Sequence, residues 1–370
     1  MYLKKLEINN YRNLKTGSFT FDKCRNILLG NNGAGKTNFL EAISFLSTVS
    51  SFRKIGRNEF INWNSQYCYL ECEVIKEAKC STRRLELGFD KSRKMGKVDG
   101  ITCKRLIDYL GNLSLIIFLP QDLNIVTEFP KLRRSLIDRI AYNFIPGHII
   151  ALQEYNKIKT KRNAVLKGYE GDYNEEILNI FNEQFINYGI EILNNRFSII
   201  ARINDSLSKI YEKLTGIQSG VSIRYLTSMD IDLNMDRDSI LGSFKDSMRK
   251  LEKEELKKGI TLCGPHLDDI EFLIGDKRAD LFASLGQQRM LVIAVKLCEM
   301  IKYKELHGEY PVILLDDIFV GLDKQRAGSL IEFFPPESQV FMTTTHLDSI
   351  KLSNSLNKIY KITNGCLKKC

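Results

Sequence analysis

The chain has no apolar run approaching the roughly 18 residues that span a bilayer, no internal repeat, no low-complexity tract and no C-x-x-C pair. Each absence narrows the choice. A membrane-spanning helix is excluded, and Met1-Tyr2-Leu3-Lys4-Lys5 leads straight into alternating residues rather than a leader, so a cytosolic protein with no membrane partner is expected. The nine cysteines are an odd number, and neither Cys68/Cys72 nor Cys366/Cys370 has a histidine near it in sequence. They read as reduced structural thiols rather than a disulfide framework or a zinc site. No helix-turn-helix, RRM or zinc finger is recognisable. Nor is there a carboxylate cluster that would build a metal-dependent nuclease; His266, Asp268 and Asp269 remain open as a small metal set or a structural turn.

What is present starts with Gly30-Asn31-Asn32-Gly33-Ala34-Gly35-Lys36-Thr37, an uninterrupted G-x-x-x-x-G-K-[ST] phosphate loop. Its glycines leave room for backbone N–H groups to point at phosphate oxygens, Lys36 reaches the terminal phosphates and the Thr37 hydroxyl is a Mg²⁺ ligand. Ile27-Leu28-Leu29 reads as the end of a buried strand and Asn38 to Leu46 as a helix whose N-terminus adds its dipole to the anion site. A nucleoside triphosphate is therefore the expected ligand. The 370 residues, 44% hydrophobic and 27% charged, suffice for one large or two ordinary domains.

Net charge is +9, and residues 1–110 carry 20 Lys/Arg against 11 Asp/Glu, whereas the remainder balances at 34 to 34. The excess is densest at Arg53, Lys54 and Arg57, at Arg83 and Arg84, and at Lys91, Arg93, Lys94, Lys97, Lys104 and Arg105. A polyanion such as duplex DNA and a merely solvated basic face both account for it.

Strand patterns at Leu3 to Asn9, Ser18 to Phe21, Cys68 to Ile75 and Arg84 to Phe89, and the apolar run Leu113 to Leu119, belong with the phosphate loop. From Lys131 to about Tyr211 the spacing is helical, followed by a strand at Val221 to Leu226 and a helix near Arg237 to Lys257. The expected organisation is a discontinuous head, 1–125 with 258–370, and an inserted, mainly helical lobe, 126–257.

Far downstream, Pro311-Val312-Ile313-Leu314-Leu315-Asp316-Asp317 is a buried strand ending in two acids. Asp316 would hold Mg²⁺ or its water ligands and Asp317 would orient or deprotonate the attacking water; alone, such a pair is as readily a polar loop. Ser284-Leu285-Gly286-Gln287-Gln288-Arg289 opens an apolar helix from Met290 to Ile301, which reads either as a phosphate-attracting helix end or as an ordinary N-cap.

A Ser-x-Gly-Gln helix followed by an apolar strand with paired acids, some 250 residues after a phosphate loop, resembles the ABC-type ATPase head. The expected fold is therefore α/β, a P-loop NTPase of ABC-ATPase type like the SMC/Rad50 heads. Within that superfamily, nearly the whole chain resembles the RecF family of bacterial recombination mediators. The resemblance rests on Leu3 to Asn13, Asn31 to Asn38, Phe118-Leu119-Pro120-Gln121-Asp122-Leu123, Pro130 to Arg134 with Asp138, Gly264-Pro265-His266 with Asp268-Asp269, and Asp316-Asp317. It departs at Gln121 and Leu267, where the family mostly has glutamate and arginine; Gln121 is either a Mg²⁺ and γ-phosphate sensor or a surface turn residue. The resemblance puts Arg12, Asn13, Asp323 of Gly321-Leu322-Asp323, and His346 beside the nucleotide. It implies an ATP-dependent homodimer in which Ser284, Gly286 and Gln287 of one subunit complete the site built on Lys36, Thr37 and Asp316 of another. It also implies binding of double-stranded DNA at single-strand gaps, cooperation with RecR and RecO in loading recombinase, and slow hydrolysis at Asp317 as a timer. Candidate DNA contacts are Arg53, Lys54, Arg57, Arg133 and Arg134, each equally readable as a packing residue. A Rad50 or SMC head would need long coiled-coil arms and a C-x-x-C hook. A transporter ATPase would need a docking surface for transmembrane partners.

Overall fold

The computed structural model describes residues 1–51, 59–90, 93–168, 175–319, 324–346 and 357–370, so Arg53, Lys54, Arg57 and Asp323 lie outside the described residues. By contact the chain divides into two compact units, Met1–Leu123 with Ile210–Gly216 and Arg289–Cys370, and Asn124–Lys209 with Ile217–Gln288.

The first unit opens with β1 (Tyr2–Asn9), β2 (Gly17–Thr20), β3 (Arg25–Leu29), α1 (Lys36–Thr48), β4 (Tyr67–Lys76), β5 (Ser81–Asp90), β6 (Lys94–Val98), β7 (Ile101–Thr102), α2 (Leu106–Tyr109) and β8 (Leu115–Phe118). The chain then builds the second unit from α3 (Pro130–Phe144), α4 (His148–Lys167), the 41-residue α5 (Glu175–Thr215), β9 (Val221–Leu226), α6 (Arg237–Lys258), β10 (Asp269–Ile274), β11 (Lys277–Arg278) and α7 (Ala279–Phe282). The last residues of α5 cluster with the first unit. Helix α8 (Leu285–His307) begins in the second unit and continues into the first, which ends with β12 (Val312–Leu315), α9 (Lys324–Glu332), β13 (Val340–Thr344), β14 (Asn357–Thr363) and β15 (Cys366–Lys369).

Among the described residues, the first unit holds two six-stranded sheets. One is antiparallel, in the order β2-β1-β4-β5-β6-β7; the other runs β15-β14-β3-β13-β12-β8, parallel from β14 to β8. Helix α1 shares one apolar core with both: Phe39, Leu40, Ile43 and Leu46 cluster with Leu3, Leu6 and Leu70 of the antiparallel sheet and with Leu28, Leu314 and Phe341 of the parallel one. A helix covered on both sides must be apolar all round, and the run Phe39 to Leu46 is, with Glu41 its one acid. Strand β3, which delivers the chain to the phosphate loop, is central, flanked by β13 and β14.

The second unit is helical around a three-stranded antiparallel sheet, β11-β10-β9. The sequence boundary at 257 falls short of it, because β10 pairs with β9 over its whole length, Asp269 opposite Leu226 to Ile274 opposite Val221. Its interior carries a polar network. Buried Arg196 donates to both carboxylate oxygens of Asp138 at 2.8 and 3.0 Å, to the Tyr225 hydroxyl at 2.9 Å and to the Pro265 carbonyl at 2.7 Å. Tyr225 in turn donates to buried Asp268 at 2.7 Å. Buried polar groups persist only when so satisfied.

Candidate nucleotide-binding site

The phosphate loop is shaped by backbone that other segments press against. Gly33 and Gly35 adopt left-handed φ of 78° and 109°, and a Cβ on Gly30 would lie 2.5 Å from the Ile362 carbonyl oxygen. Gly35 is the N-cap of α1 and has no side chain with which to cap it, so the first-turn N–H groups are left for an anion. Lys36 is buried, and its ammonium donates to the carbonyls of Gly30 at 2.8 Å and Asn31 at 3.3 Å, spanning the loop it would share with a phosphate.

Two further segments brace this loop. Asn13 Nδ2 donates to the Gly33 carbonyl at 3.3 Å and Asn13 Oδ1 accepts from Asn38 at 2.7 Å. Arg12, at a left-handed φ of 49°, is clamped by Glu41 of α1 through contacts of 2.5 and 2.8 Å. From the other end of the chain, Gly365 donates its N–H to the Ala34 carbonyl at 3.1 Å and accepts from Lys15 N–H at 2.9 Å. The sequence missed this brace and Glu41. The detectable signals were a lone acid inside an apolar helix and the Asn364-Gly365 pair of a β-hairpin turn.

Strand β12 lies between β13 and β8 and leads directly into Asp316, whose Oδ1 accepts from the Thr37 hydroxyl at 3.0 Å and the Thr343 hydroxyl at 2.9 Å. The same Thr343 oxygen accepts the Asp317 N–H at 2.8 Å, and Asp317 takes a left-handed φ of 45°, so the chain turns sharply between the two acids. Asp316 is buried and Asp317 half-buried. A hydroxyl and a carboxylate on neighbouring elements are the hard oxygen donors that Mg²⁺ prefers, and the glycine-walled loop with its ammonium suits a triphosphate; the residues fit both groups. Thr343 is a supporting residue that the sequence did not single out, since its contact with Asp316 spans 27 positions.

Other expected site residues fall as follows. Gln121 is exposed on the 3₁₀ turn Pro120–Asn124 that follows β8, the strand beside β12. Its neighbour Asp122 is buried against the Lys296 ammonium of α8 at 3.1 Å. His346 is exposed just past β13, its N–H donating to the Thr344 hydroxyl at 3.2 Å.

In the second unit, Ser284 and Gln287 form a reciprocal capping box: Ser284 N–H donates to Gln287 Oε1 at 2.9 Å and Gln287 N–H to Ser284 Oγ at 3.3 Å. Ser284 is exposed at the start of α8, with Gly286 in the first turn. Arg133 and Arg134, offered above as DNA contacts, are instead committed to their own unit. Arg133 grips Asp269 at 2.6 and 2.8 Å and donates to the Glu128 carbonyl, while half-buried Arg134 donates to the Asp268 carbonyl. His266, Asp268 and Asp269 do not gather as ligands: His266 Nδ1 meets the Tyr155 hydroxyl at 2.7 Å, and Asp268 accepts from Tyr225 and Ser228. Burial, aided by the Lys159 charge, pushes the His266 imidazole down to about 3, and burial raises the Asp268 carboxyl. Among the described residues no group of three or more His, Cys, Asp or Glu could hold a metal ion, and no helix is long and apolar enough to cross a membrane.

The RecF/RecN/SMC N-terminal domain model matches residues 2–368. The DNA replication and repair protein RecF of Bacillus cytotoxicus is 32% identical over 95% of this chain and 94% of its own length, and that of Bacillus cereus strain G9842 is 32% identical over 99% and 98%. Among solved structures, the recombination mediator protein RecF-ATP of the RecFOR pathway superposes with a TM-score of 0.90 at 30% identity, covering 100% of this chain and 97% of that one. An Smc head bound to the C-terminal winged-helix domain of ScpA shares the fold alone, with a TM-score of 0.55 at 17% identity. The α/β architecture is that of the ABC-type ATPase head, and the chain belongs to the RecF family of DNA replication and repair proteins.

Proposed function

We propose that this chain is an ATP-dependent DNA clamp of recombinational repair, a slow ATPase that dimerises on ATP, binds double-stranded DNA at single-strand gaps and helps load recombinase with RecR and RecO. The observation that carries the reading is the convergence of Lys36, Thr37 and Asp316 on one glycine-walled loop in a RecF fold. ATP comes to this chain from the RecF-ATP neighbour and the phosphate loop together, and Mg²⁺ from the Thr37–Asp316 donor pair. When bound, Mg²⁺ would supply Lewis acidity that offsets charge on the phosphates.

The loop N–H groups and the Lys36 ammonium hold the triphosphate, while Arg12 and Asn13 fix the loop from one side. Thr343 aims Asp316 at Thr37, leaving the Asp317 carboxylate to orient or accept a proton from the attacking water. Asp317 is a shorter acid on a strained turn, which supports turnover below about 10 per second, the median for enzymes. The Ser284-Gly286-Gln287 helix start of one protomer would close the site of another, so that loss of the γ-phosphate releases the pair. Asp323 and His346 would line that closed site, and Gln121, on its turn beside β12, would sense the metal. The ATPase head is discontinuous, assembled from both ends of the chain around the inserted lobe. The basic N-terminal third, Arg53, Lys54 and Arg57 included, is what we assign to DNA; Arg83 of β5 is exposed, and its ion pair with exposed Asp99 is of the weak surface kind that a phosphate can replace, whereas Arg84 is held bidentately by buried Glu71 at 2.7 and 2.8 Å.

Ser284→Arg tests the reading. Monomeric protein should bind ATP as the wild type does yet fail to dimerise with it in sedimentation; a variant that still dimerises defeats the model.

A further inference from the structure

Two groups of exposed apolar side chains are held in place by polar scaffolds. Trp63, the chain's single tryptophan, is 98% exposed. Its turn is not loose: Asn62 donates to the carbonyls of Asn10 and Arg12 at 2.8 and 2.6 Å, and its own oxygens accept from Asn64 and Ser65 at 3.1 and 2.9 Å. That turn is therefore bonded to the Arg12–Asn13 segment, which is bonded to the phosphate loop at Gly33. In the second unit, Leu281, Phe282 and Leu285 are 63%, 69% and 66% exposed, and they straddle the Ser284–Gln287 capping box.

A fully exposed indole on a bonded turn forgoes the burial of roughly 150–250 Å² that a large aromatic side chain can gain, and three large exposed apolar side chains within five residues are a concentration of the kind that marks an interface. A second copy of this chain is the occupant that accounts for both. In the ATP-bound pair proposed above, on which this inference rests, the Ser284 end of one protomer, with Leu281, Phe282 and Leu285, approaches the phosphate loop of the other, to whose Arg12–Asn13 brace the Trp63 turn is bonded. Two-fold symmetry makes the contact twice. It also meets a need, since two copies of net charge +9 repel and ATP bridging alone must otherwise overcome that.

We propose that Trp63 of one protomer packs against Leu281, Phe282 and Leu285 of the other in the ATP-dependent dimer, as an apolar latch beside the nucleotide. The tryptophan is its own reporter. Wild-type protein with Mg²⁺ and adenylyl-imidodiphosphate should sediment as a dimer, and its emission should shift to the blue and resist acrylamide quenching several-fold better than without nucleotide. Phe282→Ser and, separately, Leu281→Ser should weaken dimerisation about tenfold or more and lose the shift, with nucleotide binding by the monomer unchanged. A dimer whose indole is quenched as freely as the monomer's, or variants that dimerise like the wild type, would overturn the latch and leave the ATP dimer standing. Shielding at concentrations where only monomer sediments would also overturn it, by placing the indole on its own nucleotide. Absence of any dimer at all concentrations would remove the ATP-dimer reading and the latch together.

Discussion

Gly365→Ala isolates how strongly the far end of the chain props the phosphate loop, and Gly100→Ala is its matched control. Both glycines occupy the second position of a two-residue turn in which the first residue is also left-handed: Asn364 and Gly365 at φ of 48° and 74°, Asp99 and Gly100 at 53° and 80°. Such turns suit the twist of a hairpin, and an alanine there costs roughly 1–2 kcal/mol of backbone strain in either. The surroundings differ. A Cβ at Gly100 has nothing within 4 Å, whereas at Gly365 it would stand 2.0 Å from the Asn13 carbonyl oxygen. Because real Cβ contacts begin near 3.0 Å, Asn13 or the turn must retreat by about 1 Å, and the Asn13–Gly33, Gly365–Ala34 and Lys15–Gly365 hydrogen bonds go with it. Losing two or three bonds of about 1 kcal/mol each takes the total for Gly365→Ala to roughly 3–5 kcal/mol. Thermal unfolding should separate the variants, with Gly100→Ala lowering the midpoint by about 2–4 °C and Gly365→Ala by at least twice that. ATP affinity, titrated with a fluorescent analogue, should fall about tenfold or more in Gly365→Ala, equivalent to 1.4 kcal/mol, and stay unchanged in Gly100→Ala. Equal midpoints and equal affinities would refute the claim that the C-terminal hairpin shapes the loop.

Asp316→Asn keeps an oxygen for the Thr37 and Thr343 hydroxyls but loses the charge, so the fold should hold while the gain in ATP affinity on adding Mg²⁺, measured against EDTA, shrinks about tenfold or more; an undiminished gain would free Asp316 from the metal. Acid should weaken the protein through His266. Its folded value of about 3 lies below the ordinary 6.5, so its contribution is complete above 6.5 and is lost as pH falls towards 3, at about 1.4 kcal/mol per unit, or about 2 kcal/mol between pH 6.5 and 5. Raised Asp268 has the opposite sign: the folded state takes up its proton first, which offsets part of the loss at the acid end of that range. Urea midpoints between pH 7 and 5 should fall in the wild type and flatten in His266→Gln; parallel slopes would acquit His266.

The parts of the site that were legible in the sequence are those whose chemistry is local. The strand, glycine loop and helix of residues 25–48 are consecutive, and the apolar strand before Asp316 announces itself by composition. Ser284 was legible as a helix start, and the structure adds that Gln287 reciprocates the cap, a contact three residues away. What escaped is set by distant pairing. Arg133 was equally readable as a DNA contact or a packing residue, and only β10, which delivers Asp269 to it across 136 positions, decides between them; nothing near Asp316 in sequence points to Thr343. The hairpin β14–β15 was missed for a different reason: its Asn-Gly signal is local, yet the alternation of β14 is brief, with Tyr360 and Ile362 its only buried residues.

The central place of β3 bears on how the protein is made. Its two neighbours, β13 and β14, are encoded more than 300 residues after it, so the strand carrying the phosphate loop leaves the ribosome with both edges unpaired. At about 5–20 residues per second, its partners follow some 15–60 seconds later. The loop's last brace, Gly365, follows later than either strand. On the reading proposed above, ATP binding waits for these late strands, and the apolar edges of β3 stay exposed for that whole interval, the one in which a chaperone would be needed most.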